Sequence, residues 1–335
     1  MTLYETILND RRKMNPDIKE SSIKMYCSNV TKLSKMLNDG KFVEGYDWLK
    51  DFDNVKEKLN KTKENGSSLH FSSVRNYINS AMIYLHCFNE NELLNKYTQY
   101  RDELSHQYED MNASGTWSDK QGKNAITMEE LHKLINDVGN EIKMKKLKEK
   151  SQFKPLNTQE RGLVQLYMIL SVHAVYPMRN DLSMMKIIKN SQFKGLTDEQ
   201  KKENNYLVLA KDMFFCLNDY KTSKSYKEKI IVLTPELRRM MRWYLNLLPT
   251  TEYLLTKADG DPVSKNALSQ ILTKGTKKRI GKSVSTTMLR KIYLSDKYSD
   301  MKEELLKDNN IMMHDASTAL KIYVKTVPDK NNSEE

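Results

Sequence analysis

With 335 residues, room for two domains that each bury a core, and 55 Lys and Arg against 44 Asp and Glu, the chain carries a formal net charge of +11 and suits a polyanionic partner, nucleic acid or an anionic membrane surface. No run of about 18 apolar residues exists and Met1 to Lys13 is polar and charged, so neither a membrane span nor a secretory signal is expected. Cys27, Cys87 and Cys216 are too few and too far apart for a disulfide framework or a CxxC metal clip, which leaves a soluble intracellular protein with reduced thiols as the expectation.

Ile23, Tyr26, Cys27, Val30, Leu33 and Leu37 recur at steps of three and four, which predicts one face of a helix over Ser21 to Leu37. After the break Asn65-Gly66-Ser67-Ser68, Val74, Ile78, Met82 and Leu85 predict a second helix over Ser72 to Phe88. Shorter helical pieces near Tyr46 to Leu59 and Glu90 to Glu109 complete a small all-helical unit, residues 1–111. From Asn112 the sequence NASGTWSDKQGKN loses apolar periodicity and gains Gly, Ser and charge, so residues 112–126 read as an exposed linker.

Thr127-Met-Glu-Glu reads as a capping box that starts a helix carrying Leu131, Leu134 and Ile135. The run KMKKLKEK, Lys143 to Lys150, reads as a solvated face and receives no role. A strongly apolar helix follows around Leu163 to Val175. Three β-like runs come next, Tyr206 to Ala210, Phe214 to Tyr220 and Glu228 to Thr234. Their short polar connections favour an antiparallel meander, because parallel neighbours need long crossovers. Helices resume at Pro235, well placed for a first turn, and continue to about Lys325, with residues 326–335 a flexible tail. The expected fold is mainly α, with a mixed α+β second domain, residues 127–325, that holds a small three-stranded antiparallel sheet.

Four segments carry candidate chemistry in order: YPMRNDL with Arg179, NDYKTSK with Lys221, TMLRKIYLSDKY with Arg290, and MMHDASTALKIYVK, where His314 precedes Tyr323 by nine residues. Together they resemble the tyrosine recombinase and phage-type integrase family, across the whole of residues 127–325. The style of the boxes looks like that of recombinases from large eukaryotic DNA viruses and mobile elements. By this resemblance Arg179 and Arg290 are the two catalytic arginines, Lys221 the hairpin lysine with Lys224 as a second candidate, His314 the late His or Trp, and Tyr323 the nucleophile. Residues 1–111 resemble the family's helical core-binding (SAM-like) DNA-binding domain. Two positions depart from the pattern. Thr287 stands first in the His-x-x-Arg box, where a threonine cannot act as a base near neutral pH. Asp181 follows Arg179 by two residues where an acidic residue often follows by three.

These residue types suit the reaction. Attack on a phosphodiester builds negative charge on the non-bridging oxygens, and a guanidinium meets it with planar paired donors that stay charged at any working pH. No carboxylates are spaced as a two-metal nuclease needs, and the resemblance implies a mechanism without metal, cofactor or ATP. It further implies a 3′-phosphotyrosine intermediate, Lys221 as general acid for the leaving 5′-oxygen, a partner of double-stranded DNA with no small-molecule substrate, and a homotetramer acting on two DNA sites. Ordinary alternatives stand beside each residue. The alternative for Arg179 is a helix-end charge paired with Asp181, for Arg290 a solvated neighbour of Lys291, and for Lys221 one of several hairpin lysines with Lys224 and Lys227. His314 also suits a helix N-terminus ahead of Asp315, and His173 reads as a core histidine. Lys24, Lys32, Lys35 and Arg75 suit either a DNA-facing groove or a solvated face. Two rival functions are a DNA-binding relative impaired in catalysis and a type IB topoisomerase.

Overall fold

A computed structural model describes residues 2–61, 68–113, 117–220, 223–249 and 252–312. The chain divides into two compact units, Met1–Trp117 and Ser118–Glu335.

Among the described residues the first unit's regular elements are all helical: α1 (Leu3–Met14), α2 (Glu20–Leu37), a 3-10 turn (Asp47–Leu49), α3 (Phe52–Asn60), α4 (Phe71–His86) and α5 (Asn91–Ala113). Thr2 and Glu5 form a capping box that satisfies the first free N–H groups of α1. The apolar stripes read from the sequence point inward. Ile23, Val30, Leu33, Ile78 and Leu85 are completely buried, and each such side chain removed from water contributes about 1.5–3 kcal/mol. Tyr97 lies among them, and its hydroxyl donates to the Leu49 carbonyl at 3.0 Å, so the one polar atom it carries inward is satisfied.

The second unit begins inside the expected linker. Its first turn, α6 (Asp119–Gly122), is followed by buried Ile126, and the Ser283 N–H and the Lys282 ammonium bond to Asn124 and the Ala125 carbonyl at 2.6 and 2.9 Å. These partners lie more than 150 residues away in sequence, which is why local composition reads the stretch as exposed. The predicted capping box is present: Thr127 and Glu130 exchange bonds of 3.0 and 2.8 Å at the start of α7 (Met128–Met144). Lys146, in the left-handed region at φ 48°, turns the chain into α8 (Leu147–Phe153), where Leu147 is buried, so the lysine run is a helix joint with one apolar anchor. Then comes α9 (Thr158–Val175), packed by α7 and, later in the chain, by α13 (Pro235–Leu247), α14 (Lys265–Ile280) and α15 (Thr286–Met312).

Between α9 and α13 lies the sheet. Among the described residues it has four strands, in the order β1 (Lys186–Lys189), β2 (Tyr206–Leu209), β3 (Phe214–Leu217) and β4 (Lys229–Val232), where three were expected. The sheet is mixed: β2, β3 and β4 form the antiparallel meander, whereas β1 pairs parallel to β2, with Ile187 opposite Leu207. The crossover that a parallel pair requires is present as two short helices, α10 (Asn190–Lys194) and α11 (Asp198–Lys202). A short helical turn, α12 (Ser223–Tyr226), sits in the β3–β4 connection. No helix among the described residues is long and apolar enough to cross a membrane.

Candidate active site

The C-terminal end of α9 positions Arg179. Pro177 follows the last helical residues, where a helix cannot continue, and buried Met178 anchors the turn. Below it His173 is fully buried, its Nδ1 2.8 Å from the Ile169 carbonyl and its Nε2 3.3 Å from the Arg179 carbonyl. Burial lowers its pKa against the pull of those carbonyls, and the charge of Arg290 lowers it further, so His173 is a core histidine that supports the Arg179 backbone. The next acidic side chain, Asp181, is also buried. Its Oδ2 accepts the Arg179 backbone N–H at 3.2 Å. Burial raises the Asp181 pKa in spite of that bond and of the positive charges of Lys265, Arg179 and Arg290. The simple helix-end pair therefore does not describe Arg179: Asp181 holds its backbone, and among the described residues its half-buried guanidinium makes no ion pair.

Arg290 comes from the opening of α15, half-buried, with its Nη2 3.4 Å from the Thr287 hydroxyl. Its Nε is buried and has no hydrogen-bond partner among the described residues. Burial, then the charge of Arg179, lowers its pKa, and Asp181 opposes both. The two guanidiniums thus lie close enough to repel, both act on the buried Asp181 carboxylate, and one carries a donor with no partner among the described residues. Such a seat has the charge and donors for an oxyanion.

Two asparagine side chains that the sequence reading passed over, Asn180 and Asn205, assemble this seat. Asn180 donates to the Ser269 hydroxyl at 3.0 Å and the Lys265 carbonyl at 3.3 Å on α14, and accepts from the Thr286 hydroxyl at 2.8 Å on α15. Buried Asn205 donates to the Asp181 and Asp219 carbonyls at 3.2 and 3.0 Å and accepts the Asn218 and Asp219 N–H groups at 2.8 and 2.9 Å. It therefore ties the Arg179 loop to the end of β3, and its bond from the Asn218 N–H lies just past Leu217, where the strand ends instead of continuing to Tyr220. At the base of the β3–β4 connection the Tyr220 hydroxyl bonds the Lys227 carbonyl at 2.6 Å. Lys265 pairs with Asp219 at 3.8 Å and adds a third positive charge near Asp181.

Of the residues singled out by sequence, Arg179 and Arg290 come together, and Thr287 is exposed beside Arg290. Lys221, His314 and Tyr323 lie outside the described residues, as does the Lys224 side chain. Among the described residues no three His, Cys, Asp or Glu side chains cluster as metal ligands would.

No protein-family model matches the chain, and no curated protein matches it. A solved structure of XerA recombinase aligns over 94% of this chain and 91% of its own, at a TM-score of 0.33 and 15% identity, a likeness too loose to carry any conclusion.

Proposed function

We propose that the chain is a site-specific DNA recombinase that cleaves and rejoins double-stranded DNA through Tyr323, without metal or ATP. The observation that carries this reading is the seat formed by Arg179 and Arg290: two half-buried guanidiniums, one whose Nε has no partner among the described residues, on a chain of net charge +11. A phosphodiester in that seat would receive the charge it gains on attack.

In this reading the Tyr323 phenolic oxygen bonds to phosphorus as the bond from phosphorus to the 5′-oxygen breaks. Lys221 gives the leaving oxygen its proton, and His314 donates a hydrogen bond to a phosphate oxygen. The tyrosine proton passes to water, to His314 or to the phosphate, since exposed Thr287 is no base. A second 5′-hydroxyl then reverses the step and reseals the strand. Residues 1–111 serve as a DNA-binding unit, and four copies act on two sites.

The test is covalent trapping on nicked duplex DNA in a buffer free of divalent metal, with the wild type and Tyr323→Phe compared on a denaturing gel. An adduct with the wild type alone supports the reading, and DNA binding without an adduct overturns it. The departure at Thr287 favours a second reading, a DNA-binding relative impaired in catalysis, which that last result would support. Site-independent relaxation of supercoiled plasmid would favour a type IB topoisomerase, and strand exchange between two defined sites would exclude it.

A further inference from the structure

We infer that Asn180 is a positioning residue, which with Thr286 braces Arg179 against Arg290 so that both guanidiniums reach one oxyanion.

Two like charges in a half-buried site push apart, so the elements that carry them need a connection that does not depend on the ligand. The described bonds supply one. Asn180 is the immediate neighbour of Arg179, and its carboxamide uses both ends: Nδ2 on α14, at Ser269 and Lys265, and Oδ1 on the Thr286 hydroxyl. Thr286 is buried and lies four residues before Arg290, so the two share a face of α15 on successive turns. The Asn180 carbonyl in turn accepts from the Ser183 hydroxyl at 2.6 Å, which fixes the loop from its other side. The path from one guanidinium to the other is thus Arg179, Asn180, Thr286, Arg290, with one side-chain hydrogen bond in its middle. Asn205 does not substitute, because its bonds join the Arg179 loop to the β3 end and none of them reaches α15.

The brace as a builder of the seat stands on these contacts alone, whereas its part in strand cleavage rests on the proposed reaction. Two measurements separate them. The first is the affinity of the full chain for orthovanadate, an inorganic phosphate probe, followed by vanadium-51 resonance to millimolar concentration. Asn180→Ala and Thr286→Val should each lose about tenfold, the double variant no more than either single, and Thr286→Ser, which keeps the hydroxyl, should match the wild type. Variants that bind vanadate like the wild type, or single losses that simply multiply, overturn the brace. So does a wild type that binds no vanadate. Should Asn180→Ala fail to fold, the Thr286→Val and Thr286→Ser pair decides.

The second measurement is adduct formation on two substrates, an ordinary phosphodiester and a methylphosphonate, whose missing negative charge asks less of the arginines. A brace that acts through the arginines makes the variant's defect at least several-fold smaller on the methylphosphonate. An equal defect on both substrates would mark a general structural injury and overturn the positioning role. A wild type that binds vanadate and forms no adduct defeats the recombinase reading and leaves the brace. An adduct-forming wild type with unaffected variants defeats only the brace.

Discussion

The two units bury polar groups very differently. Among the described residues of Met1–Trp117 the buried polar side chains are Ser34 and Ser80, each bonded to a neighbouring element. In Ser118–Glu335 the buried set is larger, and six of its members, His173, Asp181, Ser183, Asn205, Asn218 and Thr286, belong to the bonded network that holds the Arg179 loop and the start of the Arg290 helix, while Gln165, Thr256 and Thr276 bond elsewhere. Burying a polar group is costly unless its bonds are remade. The first unit is built for stability, and the second accepts buried polarity at the place where two cations converge. Stability and activity should therefore separate when the units are mutated.

The sharpest way to break the comparison is Arg290→Met. It removes a partly buried charge and a donor with no partner among the described residues while it keeps most of the packing, so the melting temperature should hold or rise while adduct formation falls on the order of 10²–10³-fold. Calorimetry and a trapping time course read the two effects, and a large drop in melting temperature would contradict the account. In the first unit Ile78→Ala should do the opposite. It empties a fully buried position, costs about 2–5 kcal/mol in denaturant unfolding, and leaves vanadate affinity unchanged.

A smaller loss is expected within the second unit but away from the arginines. A Cβ at Gly275 on α14 would stand 2.6 Å from Cδ2 of Leu166, itself buried in α9, so Gly275→Ala should cost about 1–3 kcal/mol as Leu166 shifts. A chemical-denaturation midpoint equal to that of the wild type would show that the α9–α14 contact is looser than described.

The smallest effect concerns pH, and its sign should differ between the units. Burial raises the Asp10 pKa, but bonds from Arg11 and His86 outweigh it, and the net value is lowered below the ordinary 3.8. Its stabilising contribution is thus present above that value and is lost as pH falls through the folded one. Asp181 is raised above 3.8 by burial, so the folded state resists its ionisation, and stability falls as pH rises from 3.8 through the folded value. Asp10→Asn should be destabilising at neutral pH, with the deficit shrinking in acid. Asp181→Asn, which keeps an acceptor for the Arg179 N–H, should be neutral or stabilising at neutral pH and converge on the wild type in acid. Thermal melts across the acid range measure both, and parallel curves for the two variants would contradict the distinction.

What the sequence revealed follows from the range of the interactions. The apolar stripe through Ile23, Val30 and Leu33 and the capping box at Thr127 are local patterns, and both are present in the fold. β1 was not legible, because Lys-Ile-Ile-Lys shows neither alternation nor length, and its pairing with β2 depends on a crossover of two short helices. Arg179 and Arg290 were legible as residue types in an ordered set. The asparagines that assemble them were not, since Asn180 meets Thr286 across 106 positions and nothing in Arg-Asn-Asp marks the middle residue as a brace.

The most direct test of the central claim is to digest the trapped protein–DNA adduct with protease and identify the DNA-linked peptide by mass spectrometry. The account predicts a single modified peptide containing Lys-Ile-Tyr-Val-Lys with the nucleotide on Tyr323, and no such peptide from Arg290→Met at the same exposure. A linkage to any other residue, or an adduct undiminished in Arg290→Met, would contradict it.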